Sequence, residues 1–216
     1  MKKKKYNNLK IDSNPEAFFM AATRAVARNG YRRTTMNDIA EAADMSRPAL
    51  YQAFKNKEDV YCSGVSYLIN KAVEVSSKAL CESGPIEKRF LVAMLNFEET
   101  YWGPIAKSQY ALEIMHSTVK LDRAIGFIKL GRKQLRTALS KSLQEAVRSG
   151  EVTFVSLGMQ PSTFVSILMS ILAAQKYQDT ANPNYMDTPL YKFKRRNSKI
   201  IKVFLNSIIV RPEGVS

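Results

Sequence analysis

Apolar residues recur at helical spacing along most of the chain, and stretches containing glycine, proline or polar residues separate these segments. The first segment predicts a helix that begins at Asn14-Pro15-Glu16, because Pro15 suits the first helical position and Asn14 can cap it. Asn29-Gly30 ends this helix. Its apolar positions are Phe18, Ala22, Ala25 and Val26.

Two short helices are predicted next. The first runs from about residue 35 to 43, where Thr35 can cap the helix and Asp38 completes a capping-box pattern. The second runs from about residue 46 to 54, with Ser46 as its cap. Two helices of this length joined by a very tight turn are typical of a helix-turn-helix.

Longer helices are predicted for the rest of the chain. Gly84-Pro85 and Gly103-Pro104 are strong breaks on either side of an amphipathic helix, and Asn182-Pro183-Asn184 opens a polar loop. The only strand-like run, residues 151–157, is short and isolated, so the predicted fold class is all-α. The remaining predicted helices cover about residues 56–81, 105–148 (as two or three helices), 161–180 and 189–210.

Side-chain sizes in the two short helices fit a helix-turn-helix. Ala40 is small where the helices would cross, and apolar residues occupy the positions of a shared core. A hairpin this small cannot bury its own core. We therefore expect the preceding helix to pack against it through Phe18, Ala22 and Val26. The apolar residues of the hairpin are Ile39, Met45, Leu50 and Phe54.

The exposed face of the second short helix suits the major groove of DNA. Arg47 can contact a guanine in two places, and Gln52 can contact an adenine in the same way. Thr35, Tyr51 and Lys57 suit phosphate contacts, because each places a donor beside a helix start or on the flank. The residues predicted to face base edges are Ser46, Arg47, Pro48 and Ala49, with Tyr51 and Gln52 close behind.

This stretch resembles the N-terminal pattern of TetR-type (tetracycline-repressor-like) transcriptional regulators. The resemblance covers residues 18–60, and beyond residue 65 only the length and helical character are similar. One residue departs from the pattern, because Asp44 replaces the usual turn glycine. Asp tolerates positive φ better than most residues, so we expect the turn to survive. The matching residues are Thr35, Asp38, Ile39, Ala40, Ala43, Ser46, Leu50, Tyr51, Phe54, Lys57 and Glu58.

The resemblance implies a cytoplasmic regulator that dimerises through its last two long helices and binds a palindromic operator in double-stranded DNA. Most members respond to a small ligand held in the body, which changes the spacing of the two heads. By analogy, the helix near 58–81 would transmit that change. The implied domains are a flexible basic arm (1–12), an N-terminal three-helix helix-turn-helix DNA-binding domain (13–60) and a C-terminal helical effector-binding and dimerisation domain (61–216).

The net charge of +14 favours a polyanionic partner, nucleic acid first and an anionic membrane surface second. Residues 1–60 hold 12 Lys and Arg against 7 Asp and Glu, and the remainder holds 21 against 12, so charge alone does not locate a DNA-binding region. The lysine-rich start is either a solvated tail or an arm that tracks DNA. The basic runs at 129–141 and 192–202 are either solvated faces or sites for an acidic effector, a protein or DNA.

Small-molecule and metal sites carry weaker signals. A metal site is not predicted, since His116 is the only histidine, and no cofactor is expected. Cys62 and Cys81 are interpreted as reduced thiols, and neither a signal peptide nor a membrane span is predicted. The residues that could line an effector pocket, or simply form core, are Tyr101, Trp102, Tyr110, Met115, Phe127 and Met169.

Two other function classes stay open beside a ligand-responsive regulator, most often a repressor in the family. One is a DNA-binding interaction or nucleoid-associated factor that senses no effector. The other is an all-helical enzyme, which we do not expect, because one histidine and two cysteines offer no constellation for acid–base or nucleophilic chemistry.

Overall fold

The computed structural model of the chain describes residues 9–181 and 190–210, and these form ten α-helices without a β-strand. The predicted all-α class is confirmed. The strand-like run contributes a single β-bridge, from Val152 to Ile209, and a short 3-10 turn at Val155–Leu157. The helices are α1 (Leu9–Ser13), α2 (Pro15–Asn29), α3 (Met36–Ala42), α4 (Arg47–Ala53), α5 (Lys57–Cys81), α6 (Ile86–Ala106), α7 (Ala111–Val119), α8 (Asp122–Arg148), α9 (Pro161–Ala181) and α10 (Leu190–Asn206).

The described residues divide into two compact units. The first, here called the head unit, contains the chain up to Lys71 and the segment Thr100–Lys129. The second, the body unit, contains Ala72–Glu99 and the chain from Leu130 onward. The segment 100–129, which the sequence analysis assigned to the body, therefore packs in the head unit. No helix in the described ranges is both long and apolar enough to cross a membrane.

Helix α2 has the start and end that local signals predict. The Asn14 side chain accepts a hydrogen bond from the Ala17 N–H at 3.1 Å, and Pro15 occupies the first turn. The helix ends at Gly30, whose φ of 77° is costly for residues with a side chain and whose N–H donates to the Val26 carbonyl.

Helix α1 extends the head unit towards the N-terminus. Residues 1–8 of the predicted basic arm lie outside the described residues, whereas Leu9–Ser13 form this short helix. Ile11 is fully buried in the core of the helix-turn-helix. Lysines precede Ile11 in the sequence, and the burial of this apolar side chain ties the segment to the head.

Aromatic side chains join α2 to the helix-turn-helix. Phe18 stacks on Phe54 with ring centroids 5.4 Å apart and planes within 6°, and Phe19 packs edge-on against both rings. Phe19 also stacks on Tyr67 of α5 at 5.1 Å. Most of the predicted core is confirmed, but Met45 is only partly buried against it and Val26, although buried, is not part of this cluster. The buried members are Ile11, Phe18, Phe19, Ala22, Met36, Ile39, Ala40, Leu50, Phe54 and Val60.

The body unit has its own aromatic core, and a carboxylate near the end of α8 binds the start of α6. Phe164 of α9 packs edge-on against Phe154 at 5.3 Å and against Phe204 of α10 at 5.5 Å. The Glu151 carboxylate accepts the Ile86 N–H at 3.0 Å and pairs with Arg89 at 3.4 Å. Glu151 thereby caps the start of α6, where exposed backbone N–H groups favour a negative charge.

Helix α6 corrects one predicted break. Gly103-Pro104 lies inside the helix, which continues to Ala106. Pro104 is two residues from the helix end, so the loss of its N–H removes a hydrogen bond only in the final turn. Burial of Trp102 and Ile105 on either side of this dipeptide stabilises that turn. The predicted polar loop at 182–184 lies outside the described residues.

The Asp38 cap of α3 generates a pH-dependent prediction. Hydrogen bonds from Thr35 hold the pKa of this carboxyl below its usual range, so its contribution to stability is present above the unfolded pKa of about 4 and is lost as pH falls through the folded pKa. Asp38→Asn, which mimics the protonated form, should lower the free energy of unfolding at neutral pH by about 0.5 kcal/mol, a value already reduced for solvent screening.

Urea denaturation of both chains at several pH values checks this expectation. The gap between them should begin to narrow as pH falls below about 4 and should close once pH is below the folded pKa of Asp38. Glu41→Gln, on an exposed position of the same helix away from the cap, is the control and should show no such loss. A gap that stays constant down to pH 2 would contradict the prediction.

Candidate nucleic-acid interface

The first helix of the helix-turn-helix is fixed at its start by a reciprocal cap. The Thr35 N–H donates to the Asp38 carboxylate at 2.7 Å, and the Asp38 N–H donates to the Thr35 hydroxyl at 3.2 Å. The predicted capping box is therefore confirmed. Thr35 stays exposed beside the helix start, and its hydroxyl also donates to the Asp38 carboxylate at 2.9 Å.

The turn between α3 and α4 is a Schellman motif. The Met45 N–H donates to the Ala40 carbonyl at 2.8 Å and the Asp44 N–H donates to the Glu41 carbonyl at 3.0 Å. Asp44 has a φ of 50°, and it alone among the described non-glycine residues has a positive φ. The prediction that aspartate replaces the turn glycine without loss of the turn is confirmed.

Helix α4 is anchored on one side and open on the other. Leu50 is fully buried, and Phe54, directly after the helix, carries the aromatic stack with Phe18. The Ser46 hydroxyl accepts the Ala49 N–H at 3.3 Å and so caps the helix start. These contacts fix both the position of α4 and its rotation about its own axis.

The open side of α4 carries most of the residues predicted to meet DNA. Arg47, Pro48, Tyr51 and Gln52 are all exposed, and Ala49 is half-buried beside them. The Arg47 guanidinium lies 5.6 Å from the centre of the Tyr51 ring, and Tyr51 is 45% exposed. An aromatic ring beneath a guanidinium restricts its orientation without neutralising its charge.

Lys57 has a different environment from the other predicted contacts. Its ammonium donates to the carbonyls of Tyr31 at 2.9 Å and Arg32 at 3.0 Å, and it lies 4.8 Å from the centre of the Tyr31 ring. Burial lowers the pKa of this ammonium. Two of its three N–H donors are thus directed at the loop between α2 and α3.

The candidate effector residues do not form one group. Tyr101, Trp102, Tyr110, Met115 and Phe127 belong to the head unit, whereas Met169 belongs to the body unit. Trp102 is buried, and the Tyr110 ring lies 4.3 Å from the guanidinium of Arg33. Their role as a pocket stays a prediction.

The body unit contains an open cavity of about 560 Å³ between the end of α8 and the start of α9. None of the six candidate residues lines it. Arg148 and Gln144 supply polar groups there, and Phe154 and Met159 supply apolar surface. Elsewhere in the described ranges, no three metal-binding side chains converge, and both cysteines are free thiols.

Sequence reasoning missed contacts that α7 and the segment before it make with α2 and with the loop after α2. The carboxylate of Glu113 accepts the Arg32 N–H at 2.8 Å, and the Ser108 hydroxyl donates to the Ala27 carbonyl. Both pairs are separated by 81 residues in the chain. No local pattern in the sequence signals contacts of that separation.

Comparison with known proteins identifies the region that builds this interface. Residues 19–61 match the profile of the family described as bacterial regulatory proteins, tetR family. An uncharacterized HTH-type transcriptional regulator of Bacillus subtilis, YhgD, is 29% identical over 135 residues, covering 61% of this chain and 68% of that protein. A fatty acid metabolism regulator protein of the same organism is 28% identical over 133 residues, covering 61% and 67%.

Solved structures share the fold over nearly the whole chain. SmeT, the repressor of the Stenotrophomonas maltophilia multidrug efflux pump SmeDEF, matches with a TM-score of 0.65 at 16% identity, covering 95% of each chain. The fatty acid degradation regulator FadR of Bacillus halodurans matches with a TM-score of 0.62 at 18% identity, covering 92% of this chain and 96% of that chain. The residues that match the family profile are those that build the helix-turn-helix, so this part of the chain is similar to the DNA-binding region of the tetR family of bacterial regulatory proteins.

Proposed function

We propose that the chain binds a specific operator through α4 and represses transcription there. The observation that carries the proposal is the two-sided character of this helix. Leu50 is buried while Arg47, Tyr51 and Gln52 project from a helix whose start and rotation are fixed. Such a helix can enter a major groove with its side chains already in place.

The residues of this surface suit different parts of the DNA. Arg47 suits a guanine and Gln52 an adenine, so these two residues would read bases. Tyr51 suits a phosphate oxygen, a contact that positions the head without reading sequence. Thr35 contributes by capping α3, since its N–H and its hydroxyl both donate to the Asp38 carboxylate. Ser46 contributes through its cap, since its hydroxyl already accepts a backbone N–H.

We further propose that the chain acts as a homodimer on a palindromic site. Helix α9 has an exposed stripe opposite its buried face, and this stripe is apolar or weakly polar throughout. Ile167 and Ile171 are 40% and 38% exposed, and Val203 of α10 is 68% exposed. Isoleucines at helical spacing on a surface are typical of a subunit contact. Within residues 161–175 the exposed positions of α9 are Ser162, Thr163, Ile167, Ser170, Ile171 and Ala174.

We also propose that a small acidic amphiphile releases the operator. Two relatives by sequence or fold are named as regulators of fatty acid metabolism or degradation, which makes a fatty acid the first effector to test. The cavity of the body unit has the size of a ligand site and combines a cation, Arg148, with the apolar side chains of Phe154 and Met159.

Operator binding is tested with a labelled duplex from the region upstream of the gene, beside a shuffled duplex, at about 150 mM salt. The wild-type chain should bind the native duplex far more tightly than the shuffled one. Arg47→Ala should weaken binding to the native duplex about 10- to 100-fold, because a bidentate base contact is lost. Tyr51→Ala should weaken it as well.

The matched control for this test is Arg136→Ala, which removes the same charge from an exposed position on α8. It should leave binding to the native duplex unchanged. Equal binding of the wild-type chain to both duplexes, falling steeply with salt, would contradict sequence-specific recognition and favour a nucleoid-associated role.

Dimerisation is tested by light scattering of the purified chain after size exclusion. Ile171→Glu should convert a dimer to a monomer, since it places a charge within a contact that excludes water. Val155→Glu is the control, because Val155 is 89% exposed in the same unit but belongs to the 3-10 turn rather than to the exposed stripe of α9. A dimer that survives Ile171→Glu would place the subunit contact elsewhere.

Effector binding is tested by melting temperature and by release of the native duplex. A long-chain fatty acid should raise the melting temperature and release the duplex, whereas an alcohol of equal chain length should do neither. In the Arg148→Ala variant, the fatty-acid concentration needed for either effect should rise about tenfold, because the carboxylate loses its cation. A response that is equal for acid and alcohol would contradict a site for acidic ligands.

A further inference from the structure

The loop between α2 and α3 determines where the helix-turn-helix begins. It starts at Gly30, with its φ of 77°, and ends at the cap residue Thr35. Thr34 is buried, and both its N–H, at 3.2 Å, and its hydroxyl, at 2.6 Å, donate to the Gly30 carbonyl. The loop is therefore tightly closed on itself, and its backbone connects the core helix directly to the DNA-facing helices.

Two ionised side chains of opposite charge, one from α5 and one from α7, bind the backbone of this loop. Lys57 of α5 donates to the carbonyls of Tyr31 and Arg32, and Glu113 of α7 accepts the Arg32 N–H. Both sides of the peptide chain at Arg32 are thus bound, its carbonyl by a cation and its N–H by an anion. Charge-assisted hydrogen bonds of this kind are stronger than neutral ones.

Gly30 makes room for the Glu113 carboxylate. A Cβ atom placed on Gly30 would lie 2.5 Å from Oε2 of Glu113 and 3.1 Å from its carboxyl carbon. A methyl group there would push the carboxylate away from Arg32, because the end of a glutamate side chain moves easily. Glycine at residue 30 therefore permits both the positive φ of the turn and the hydrogen bond between the Glu113 carboxylate and the Arg32 N–H.

Further contacts keep α7 and its preceding segment against the same region of the head unit. The Arg33 guanidinium lies over the Tyr110 ring, and the Ser108 hydroxyl donates to the Ala27 carbonyl at the end of α2. Tyr61 and Thr118 share a hydrogen bond in the interior. Glu113 thus projects from a helix that is itself held in place, which is what a positioning residue requires.

We infer that Glu113 is a positioning residue for operator binding, which rests on the proposed function of α4. Its carboxylate fixes the backbone of residues 30–32, and through that loop it fixes the position of α3 and of the α4 helix that follows the turn. A displacement of these helices by a fraction of an ångström misaligns side chains against base edges. The residue lies on α7, outside α3 and α4 and outside the segment that matches the family profile.

The test compares Glu113→Ala and Glu113→Gln with Glu74→Ala, a control that makes the same change in charge at an exposed position on α5. Dissociation constants are measured on the native and shuffled duplexes. Glu113→Ala should weaken binding to the native duplex about tenfold relative to Glu74→Ala, as expected for a lost charged hydrogen bond. Glu113→Ala and Glu74→Ala should bind the shuffled duplex with equal affinity. Glu113→Gln should bind the native duplex almost as tightly as the wild-type chain, because its amide oxygen still accepts the Arg32 N–H.

A double-mutant cycle separates positioning from general loosening of the fold. Gly30→Ala should weaken native-duplex binding in the wild-type background, and this loss should shrink in the Glu113→Ala background, where no carboxylate is displaced. The backbone strain of alanine at a positive φ is present in both backgrounds and cancels. Where Glu113→Ala unfolds at the assay temperature, Glu113→Asp carries the same test, since it withdraws the carboxylate by one methylene.

Two failures are distinguishable. A wild-type chain that binds both duplexes equally overturns operator recognition and the role of Glu113 with it. A wild-type chain that discriminates between the duplexes, together with equal affinities for Glu113→Ala and Glu74→Ala, overturns the inference about Glu113 alone.

Discussion

Two helices of seven residues each, α3 and α4, cannot bury a core of their own, and the DNA-facing surface depends on how this constraint is met. The stack of Phe18 on Phe54, extended by Phe19 and Tyr67, joins them to α2 and α5. The buried rings of Phe18, Phe19 and Phe54 each contribute roughly 2 kcal/mol. Because α4 uses Leu50 and the adjoining Phe54 for anchorage, its exposed side chains are available for recognition, namely Arg47, Pro48, Tyr51 and Gln52.

Those features of the fold that depend on neighbouring residues could be predicted from the sequence. Thr35 and Asp38 form the expected capping box, since both partners lie within one turn. Asp44 takes the left-handed conformation that the turn requires, because its short polar side chain tolerates it. The apolar periodicity of α2 likewise identified the residues that pack on the helix-turn-helix. Most of the candidate interface on α4 follows from these local signals.

Features that depend on distant residues could not be predicted. Ile11 is buried although lysines precede it, and helix α6 continues through Pro104 because its neighbours pack on both sides. The segment 100–129 joins the head unit through contacts such as that of Glu113, 81 residues from its partner Arg32. Lys57, predicted from its position to face phosphates, directs two donors into the loop instead. In each case the partner residue carries no signal in the local pattern.

The central claim is that α4, held by this core, reads a DNA sequence. The most direct measurement is selection of duplexes from a random library by the full-length chain, followed by sequencing of those that are retained. We expect enrichment of one palindromic motif, with half-sites about one helical turn apart or more, because two copies of α4 must reach the same face of the duplex. Retention of duplexes without any shared motif would contradict the claim.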